Sequence, residues 1–212
     1  MAIADAPSAP DRGAYPIQLT VTEERELNRL WGIPFVGIFV RWVLAIPHFV
    51  VLWILGLCLN VWILVGWIPI LVNGRVPAIA VKLLTEYVQR GTRVAAYVGF
   101  LMPGGYPPLE PGVLSPVGVH ISLDSLEINR LWGIPLFGYL VRVLILLPHL
   151  IVLTFAAIVI ALSMLVLWIP ILSSGRYPEW AVSLYGAFFR YVVRVEAYLL
   201  LLPVPYPPLW FD

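Results

Sequence analysis

Two long stretches without a charged side chain constrain this chain more than any other feature. Residues 42–74 and 143–175 contain no Asp, Glu, Lys or Arg, and each stretch is 33 residues long. About 20 apolar residues are enough to cross the hydrocarbon core of a bilayer as a helix. The whole chain is 61% hydrophobic and only 12% charged, whereas soluble domains carry about 25% charged residues. The sequence therefore predicts an integral membrane protein.

Charge and cysteine content exclude several classes of function. The net charge of +1 is too balanced for a nucleic-acid-binding protein. Cys58 is the only cysteine, which excludes an internal disulfide framework and any cysteine-based zinc or iron–sulfur site. Residues 1–14 lack the apolar segment of a signal peptide, and we expect a flexible tail there.

The rest of the chain is an internal duplication. The segment Asn-Arg-Leu-Trp-Gly-Ile-Pro at 28–34 recurs at 129–135, and residues 28–101 match residues 129–202 at 32 of 74 positions without a gap. A repeat of this length is one structural unit that is used twice. We therefore expect two membrane repeats, 15–109 and 110–212.

Four motifs recur in the same order in both copies. They are an aliphatic-Pro-His motif, a Gly-Arg-x-Pro motif after the apolar stretch, a helix with matched Arg and Tyr, and a closing Tyr-Pro-Pro. They begin at 46, 74, 93 and 106 in the first copy and at 147, 175, 194 and 206 in the second. In order and spacing they resemble the DUF4389 family of bacterial membrane proteins, which often occur as tandem copies. The resemblance covers nearly the whole chain after residue 14 and implies no catalytic residues.

The expected fold is an all-α integral membrane protein with short surface β-segments. Residues 17–22 and 117–122 alternate between apolar and polar side chains, as half-buried strands do, and they either pair or remain isolated. Pro47 and Pro148 suit the first turn of a helix. Each repeat is then a Pro-kinked transmembrane helix, over 48–68 or 149–169, with shorter helices over 35–46 and 136–147.

An amphipathic helix follows each Gly-Arg-x-Pro turn. It either lies in the membrane interface or crosses as the second arm of a hairpin. We favour hairpins that enter from the same face, because most arginines then lie on one side of the membrane. Residues 75 and 176 are then both on the opposite side from residue 12.

Eight matched arginines are the first candidate site. They bind anionic lipid headgroups or, as the interpretation we favour, anchor the helix ends. They are Arg29, Arg41, Arg75, Arg93, Arg130, Arg142, Arg176 and Arg194.

His48 and His149 are the second candidate site. Each repeat supplies one, and a twofold axis that brought them together would allow them to ligate a haem iron or another metal. The alternative, which we favour, is that each histidine caps a kinked helix. We accordingly expect no metal and no cofactor, with haem as the exception to test.

Small side chains mark the candidate helix-packing surfaces. Gly56 and Gly66 in the first copy, and Ala157 and Ala161 in the second, allow close helix approach.

The sequence contains no nucleophile–base set and no phosphate-binding glycine loop, so we expect no enzyme activity. The first hypothesis is a non-catalytic accessory or scaffolding subunit of a larger membrane complex, with lipids and other integral membrane subunits as partners. The alternatives are a lipid-binding or transport protein that uses the matched arginines, and a small haem-binding electron carrier. Arginines outnumber lysines twelve to one, which suggests a GC-rich bacterial source, and we place the protein in the bacterial inner membrane.

Overall fold

The computed structural model describes residues 15–21, 26–27, 29–33, 36–99, 105–110, 117–123 and 125–209. The tail expected at 1–14 lies outside these described residues. The elements of the first repeat are β1 (Ile17–Val21), a first 3-10 turn (Arg29–Gly32), α1 (Val36–Leu44), α2 (Ile46–Val65), α3 (Trp67–Asn73) and α4 (Ala78–Val98). The elements of the second are β2 (Val117–Ile121), a second 3-10 turn (Arg130–Gly133), α5 (Phe137–Ile145), α6 (Leu147–Ser174) and α7 (Glu179–Leu199).

Helices α2 and α6 are long and apolar enough to cross a membrane. Each begins with a proline in its first turn, as expected. Their ends differ from the expected ones, since α2 ends at Val65 whereas α6 continues through Pro170 to Ser174. Gly66 accounts for the difference, because the second copy has Leu167 at that position and glycine costs about 1 kcal/mol in a helix relative to alanine.

The two short strands pair with each other, which decides between the two expectations for them. They form an antiparallel two-stranded ribbon in which Ile17 lies opposite Ile121 and Leu19 lies opposite Val119. The inner face of the ribbon packs into the core. Thr20 on the outer face is exposed. The alternation of side chains in the sequence therefore separates a packed face from an outward one.

The two repeats interlock at their ends. The amide of Leu27 donates to the carbonyl of Gly175 at 2.9 Å, and the amide of Ile128 donates to the carbonyl of Gly74 at the same distance. The first 3-10 turn consequently packs on α6, and the second packs on α3. The two 3-10 turns, Arg29–Gly32 and Arg130–Gly133, therefore form an interface between the repeats.

Each repeat forms a helical hairpin, but the expectation that both hairpins run in the same direction is wrong. Arg41 of α1 contacts the end of α4, and the 3-10 turn that precedes α1 packs against the end of α6, just before α7. Helix α4 therefore ends where α7 begins, and the two hairpins are antiparallel. The turns at residues 75 and 176 lie at opposite ends of the helical layer, separated by about 30 Å, the length of a 21-residue helix.

Candidate functional site

Arg41 lies at the centre of a cluster built from the recurring motifs of the first repeat. Its side chain is only 2% exposed. The guanidinium carbon lies 5.2 Å from the ring centroid of Trp31 and 4.9 Å from that of Tyr97. Nη1 donates to the main-chain carbonyl of Tyr97 at 2.9 Å. The last carbonyls of a helix have no intrahelical donor and carry the negative end of its dipole, so this buried cation caps α4.

His48 extends the same cluster. Its ring centroid lies 4.9 Å from that of Tyr106, which opens the Tyr-Pro-Pro motif, and Tyr106 lies 5.7 Å from Tyr97. The imidazole also lies beside the backbone of Pro107. The closing motif of the repeat therefore folds back over the first turn of α2 and covers the histidine. We call these five residues the first arginine stack: Trp31, Arg41, His48, Tyr97 and Tyr106.

The second repeat forms an equivalent cluster, the second arginine stack, from Trp132, Arg142, His149, Tyr198 and Tyr206. The guanidinium carbon of Arg142 lies 4.7 Å from the ring of Trp132 and 4.4 Å from the ring of Tyr198. Arg142 Nη1 again donates to the carbonyl of Tyr198, at the end of α7.

The two stacks differ at one polar contact. In the second stack, His149 Nδ1 lies 2.6 Å from the hydroxyl oxygen of Tyr191. The first copy has Arg90 at the position of Tyr191. Arg90 bonds instead to Glu86 at 3.0 Å and to the carbonyl of Leu109 at 2.6 Å. The Glu86–Arg90 pair is the one that helical spacing predicts.

The histidines do not face each other. His48 belongs to the cluster at the end of α4 and His149 to the cluster at the end of α7, and the antiparallel hairpins place these ends apart. The Nε2 atom of each ring is buried among protein atoms. Within the described residues, no group of three or more His, Cys, Asp or Glu side chains converges. A single haem between the two rings is therefore incompatible with this geometry.

The eight matched arginines fall into two groups that differ in exposure. Four are inside: Arg41, Arg142 and Arg194 are buried and Arg93 is half-buried. Four are exposed: Arg29, Arg75, Arg130 and Arg176. The guanidinium groups of the four exposed arginines are accessible to an external ligand.

The exposed arginines meet in pairs, one from each repeat. Arg130 lies against Gly74, next to Arg75, and Arg29 lies against Gly175, next to Arg176. Arg75 forms an ion pair with Glu127 at 2.6 Å, and Arg176 lies 3.8 Å from Glu26. Gly74 and Gly175 have positive φ angles of 67° and 70°, which glycine adopts without strain. Glycine is therefore favoured in these turns for two reasons: the φ angle is positive, and an arginine side chain packs close to the position where a Cβ would lie.

The pair at residue 75 borders an open pocket. Its lining combines both arginines with Glu127 and Asn73 and with the apolar side chains of Pro69, Val72 and Pro77. The pocket therefore places cations beside an apolar wall.

Three of the four small residues lie on the outer surface of the long helices. The space above Gly56 is open to at least 4 Å, and Ala157 and Ala161 are exposed. Gly66 differs from them, since a Cβ there would lie 2.8 Å from the indole of Trp62 on its own helix. Asn60 bonds within α2 to the carbonyl of Gly56 at 2.8 Å.

Glu196 is a polar group inside the helical layer that the sequence did not single out as a site. It lies on α7 near Tyr87 of α4. Burial raises the pKa of its carboxyl group to about 7. Of the described residues, none forms an ion pair with it.

Sequence reasoning identified the arginines and histidines of the stacks but not their aromatic partners. The tryptophans, Trp31 and Trp132, and the four tyrosines of the stacks are all identical between the copies. Their identity between the two copies could have marked them as candidate site residues.

Comparisons with known proteins place the chain in a family. No curated protein and no solved structure matches it. The family model described as Domain of unknown function (DUF4389) matches residues 36–108 and again residues 138–210. The two matches coincide with the two hairpins and include the arginine, histidine and closing tyrosine of each stack. The chain belongs to the DUF4389 family and contains two tandem copies of its domain.

Proposed function

We propose that this protein is a non-catalytic accessory or scaffolding subunit of a larger membrane protein complex. The observation that carries the proposal is the outer surface of α2 and α6. Each helix buries only a narrow stripe, such as His48, Leu59 and Trp62 on α2. The remaining side chains are predominantly apolar and exposed along the full length of both helices. Apolar surfaces of this size indicate a membrane or protein interaction site.

The small residues on these helices support a protein neighbour. Gly56, Ala157 and Ala161 project nothing large from the surface and touch little of the described chain. In membranes, helices associate through such positions because their backbones can approach closely. The buried Arg41 and Arg142, by contrast, are already engaged in the stacks.

Native mass spectrometry of protein extracted in mild detergent tests the proposal. We expect the wild-type chain to carry other subunits in fixed stoichiometry. Gly56→Leu and Ala157→Leu should each release the chain from the assembly without unfolding it, because overpacking a close contact costs about 1–3 kcal/mol.

Matched controls lie five positions further along each helix. Val61 and Leu162 are both 59% exposed, and five residues correspond to about 140° around a helix. Val61→Phe and Leu162→Phe therefore add bulk on a different face and should leave the assembly intact. A wild-type chain that is always a free monomer or a homo-oligomer would overturn the proposal.

A second candidate function is the binding of anionic phospholipids. The pocket beside Arg75 and Arg130 supports it, because two guanidinium groups there adjoin the apolar side chains of Pro69 and Val72. The opposite pair, Arg29 and Arg176, repeats the arrangement of charges.

The test is reconstitution into nanodiscs of phosphatidylcholine with a minor fraction of phosphatidylglycerol, followed by counting of the lipids retained in mild detergent. Wild-type protein should retain phosphatidylglycerol preferentially, and Arg75→Gln combined with Arg130→Gln should lose that preference. Lys82→Gln removes a charge from α4 and serves as the control. Equal retention of both lipids by the wild type would exclude this function.

A further inference from the structure

The ribbon lies on one face of helices α4 and α7, and the long apolar helices α2 and α6 lie on the opposite face. Gln89 Nε2 on α4 donates to the carbonyl of Val119 in β2 at 2.9 Å. Val98, nine positions later, packs with Ala45 at the start of α2. At 100° per residue, a separation of nine residues places two side chains on opposite sides of a helix. Helix α7 likewise contacts both β1 and α6. The molecule therefore has three layers: the ribbon, the pair α4 and α7, and the pair α2 and α6.

The ribbon lies level with the middle of these helices, not with their ends. Gln89 is the twelfth of the 21 residues of α4. Helices α2 and α4 form an antiparallel hairpin, so the midpoint of α4 is also level with the midpoint of α2. If α2 crossed the bilayer, the ribbon would lie at the depth of the hydrocarbon centre.

The ribbon is unsuited to that depth. Thr20 and His120 point outward and are exposed. A two-stranded ribbon also has two edges whose backbone groups face away from the partner strand. Open sheet edges do not occur in contact with lipid, because nothing there satisfies their hydrogen bonds. The ribbon requires water.

The layer formed by α2 and α6, on the other side of the molecule, is suited to lipid and not to water. The exposed amide and hydroxyl side chains on α2 and α6 bond to the backbone of their own helix: Asn60 to the carbonyl of Gly56, Thr154 to that of Leu150, and Ser174 to that of Pro170. Trp67 and Trp168 also donate their indole N–H groups to carbonyls three residues earlier. Polar groups satisfied in this way need no water. This layer is suited to hydrocarbon along its entire length.

We propose that the protein lies within one leaflet of the membrane and does not cross it, with α2 and α6 among the acyl chains, α4 and α7 above them, and the ribbon in water. The axis that relates the repeats is then the membrane normal. Both turns lie at headgroup level on the same side, although they are at opposite ends of the molecule. The exposed arginines at each turn then face anionic lipid phosphates, which complements their charge.

Counting labels on a double-cysteine variant tests this arrangement, and the result does not depend on which side of the vesicle membrane each molecule inserts from. Arg75→Cys and Arg176→Cys are combined with Cys58→Ala in protein reconstituted into sealed vesicles, and a membrane-impermeant maleimide is added. Intact-mass analysis then gives the number of labels per molecule. Two turns on one side yield molecules with two labels or none. A crossing protein yields one label on every molecule, which would overturn the proposal.

A ribbon position supplies the second measurement. Thr20→Cys in the Cys58→Ala background should react at a rate close to that of the residue-75 cysteine before detergent is added. Leu57→Cys, on the exposed surface of α2, should react only after detergent. A Thr20→Cys variant that also needs detergent would place the ribbon inside the membrane and refute the proposal. If removal of the arginines prevents folding, Asn73→Cys with Ser174→Cys probes the same two ends. The accessory role in a complex is unaffected by either outcome.

Discussion

Gly32 lies against the backbone of Leu172 in the other repeat, so closely that a Cβ at Gly32 would be 2.8 Å from the Leu172 amide nitrogen. The equivalent position, Gly133, would place its Cβ 2.6 Å from the amide nitrogen of Leu71. These are contacts with backbone, which cannot rotate away. The two glycines therefore set how closely the repeats approach.

Substitution of either glycine should destabilise the protein. Gly32→Ala and Gly133→Ala each force the 3-10 turn away from the opposing helix, and we expect a loss of about 1–3 kcal/mol in the free energy of unfolding. Thermal unfolding in detergent, followed by circular dichroism, measures it. Gly91→Ala is the control, because nothing lies within 4 Å of its Cβ position on α4; it should stabilise the helix slightly. Equal melting temperatures for all three variants would contradict the interlocked interface.

Arg41 and Arg142 should be sensitive even to lysine. A planar guanidinium fits between Trp and Tyr rings and still donates to the helix-end carbonyl, whereas an ammonium group cannot do both. We expect Arg41→Lys and Arg142→Lys each to lower the stability by about 2 kcal/mol or more, since cation–π contacts and a buried charged hydrogen bond are both lost. The exposed Arg176→Lys is the control and should be neutral. A stable Arg142→Lys protein would show that the stack does not require a guanidinium.

Glu196 should make the stability depend on pH. Burial raises the pKa of its carboxyl group from its ordinary value of 4.5 to about 7. A raised pKa means that the folded state prefers the protonated form, so its stabilising effect is complete below about pH 4.5 and is lost as the pH rises through 7. Glu196→Gln should therefore raise the stability at pH 8, by about 3 kcal/mol, and have no effect at pH 4. Melting temperatures across this range measure it, with the exposed Glu110→Gln as the control. A gain that does not change with pH would disprove the linkage.

The histidines should act through packing and not through a metal. We expect purified protein to be colourless, since each Nε2 atom is enclosed by protein. Tyr191→Phe should cost about 1 kcal/mol, the usual net value of one lost hydrogen bond. Absorption spectra and melting temperatures test both statements. A Soret band that disappears in His48→Ala or His149→Ala would establish haem binding instead.

Local sequence patterns were sufficient to predict where the long helices start and where the turns lie. Pro47 marked the start of α2, and Gly74 marked the turn before α4, because each residue type has one backbone geometry that suits it there. The alternation at 17–22 marked β1. These features depend on neighbours in the chain, so a single sequence reveals them.

The contacts between the repeats could not be predicted from local sequence patterns. Self-comparison shows that Arg29 matches Arg130, but it cannot show that each lies on the turn of the other copy. The same applies to the direction of the hairpins, which the docking of the 3-10 turns determines. The break at Gly66, by contrast, could have been found by comparing it with Leu167.

The exchanged 3-10 turns have a consequence for the origin of the chain. A polypeptide with one repeat would expose its own turn and the bare helix end that a turn should cover, and two identical chains would satisfy each other by exchanging turns. The present chain is then equivalent to such a homodimer fused end to end. After fusion, the two halves no longer need to have the same sequence. They already differ at one position, where Tyr191 bonds to a histidine in the second repeat and Arg90 bonds to a glutamate in the first. A symmetric pair of single chains could not be specialised on one side only.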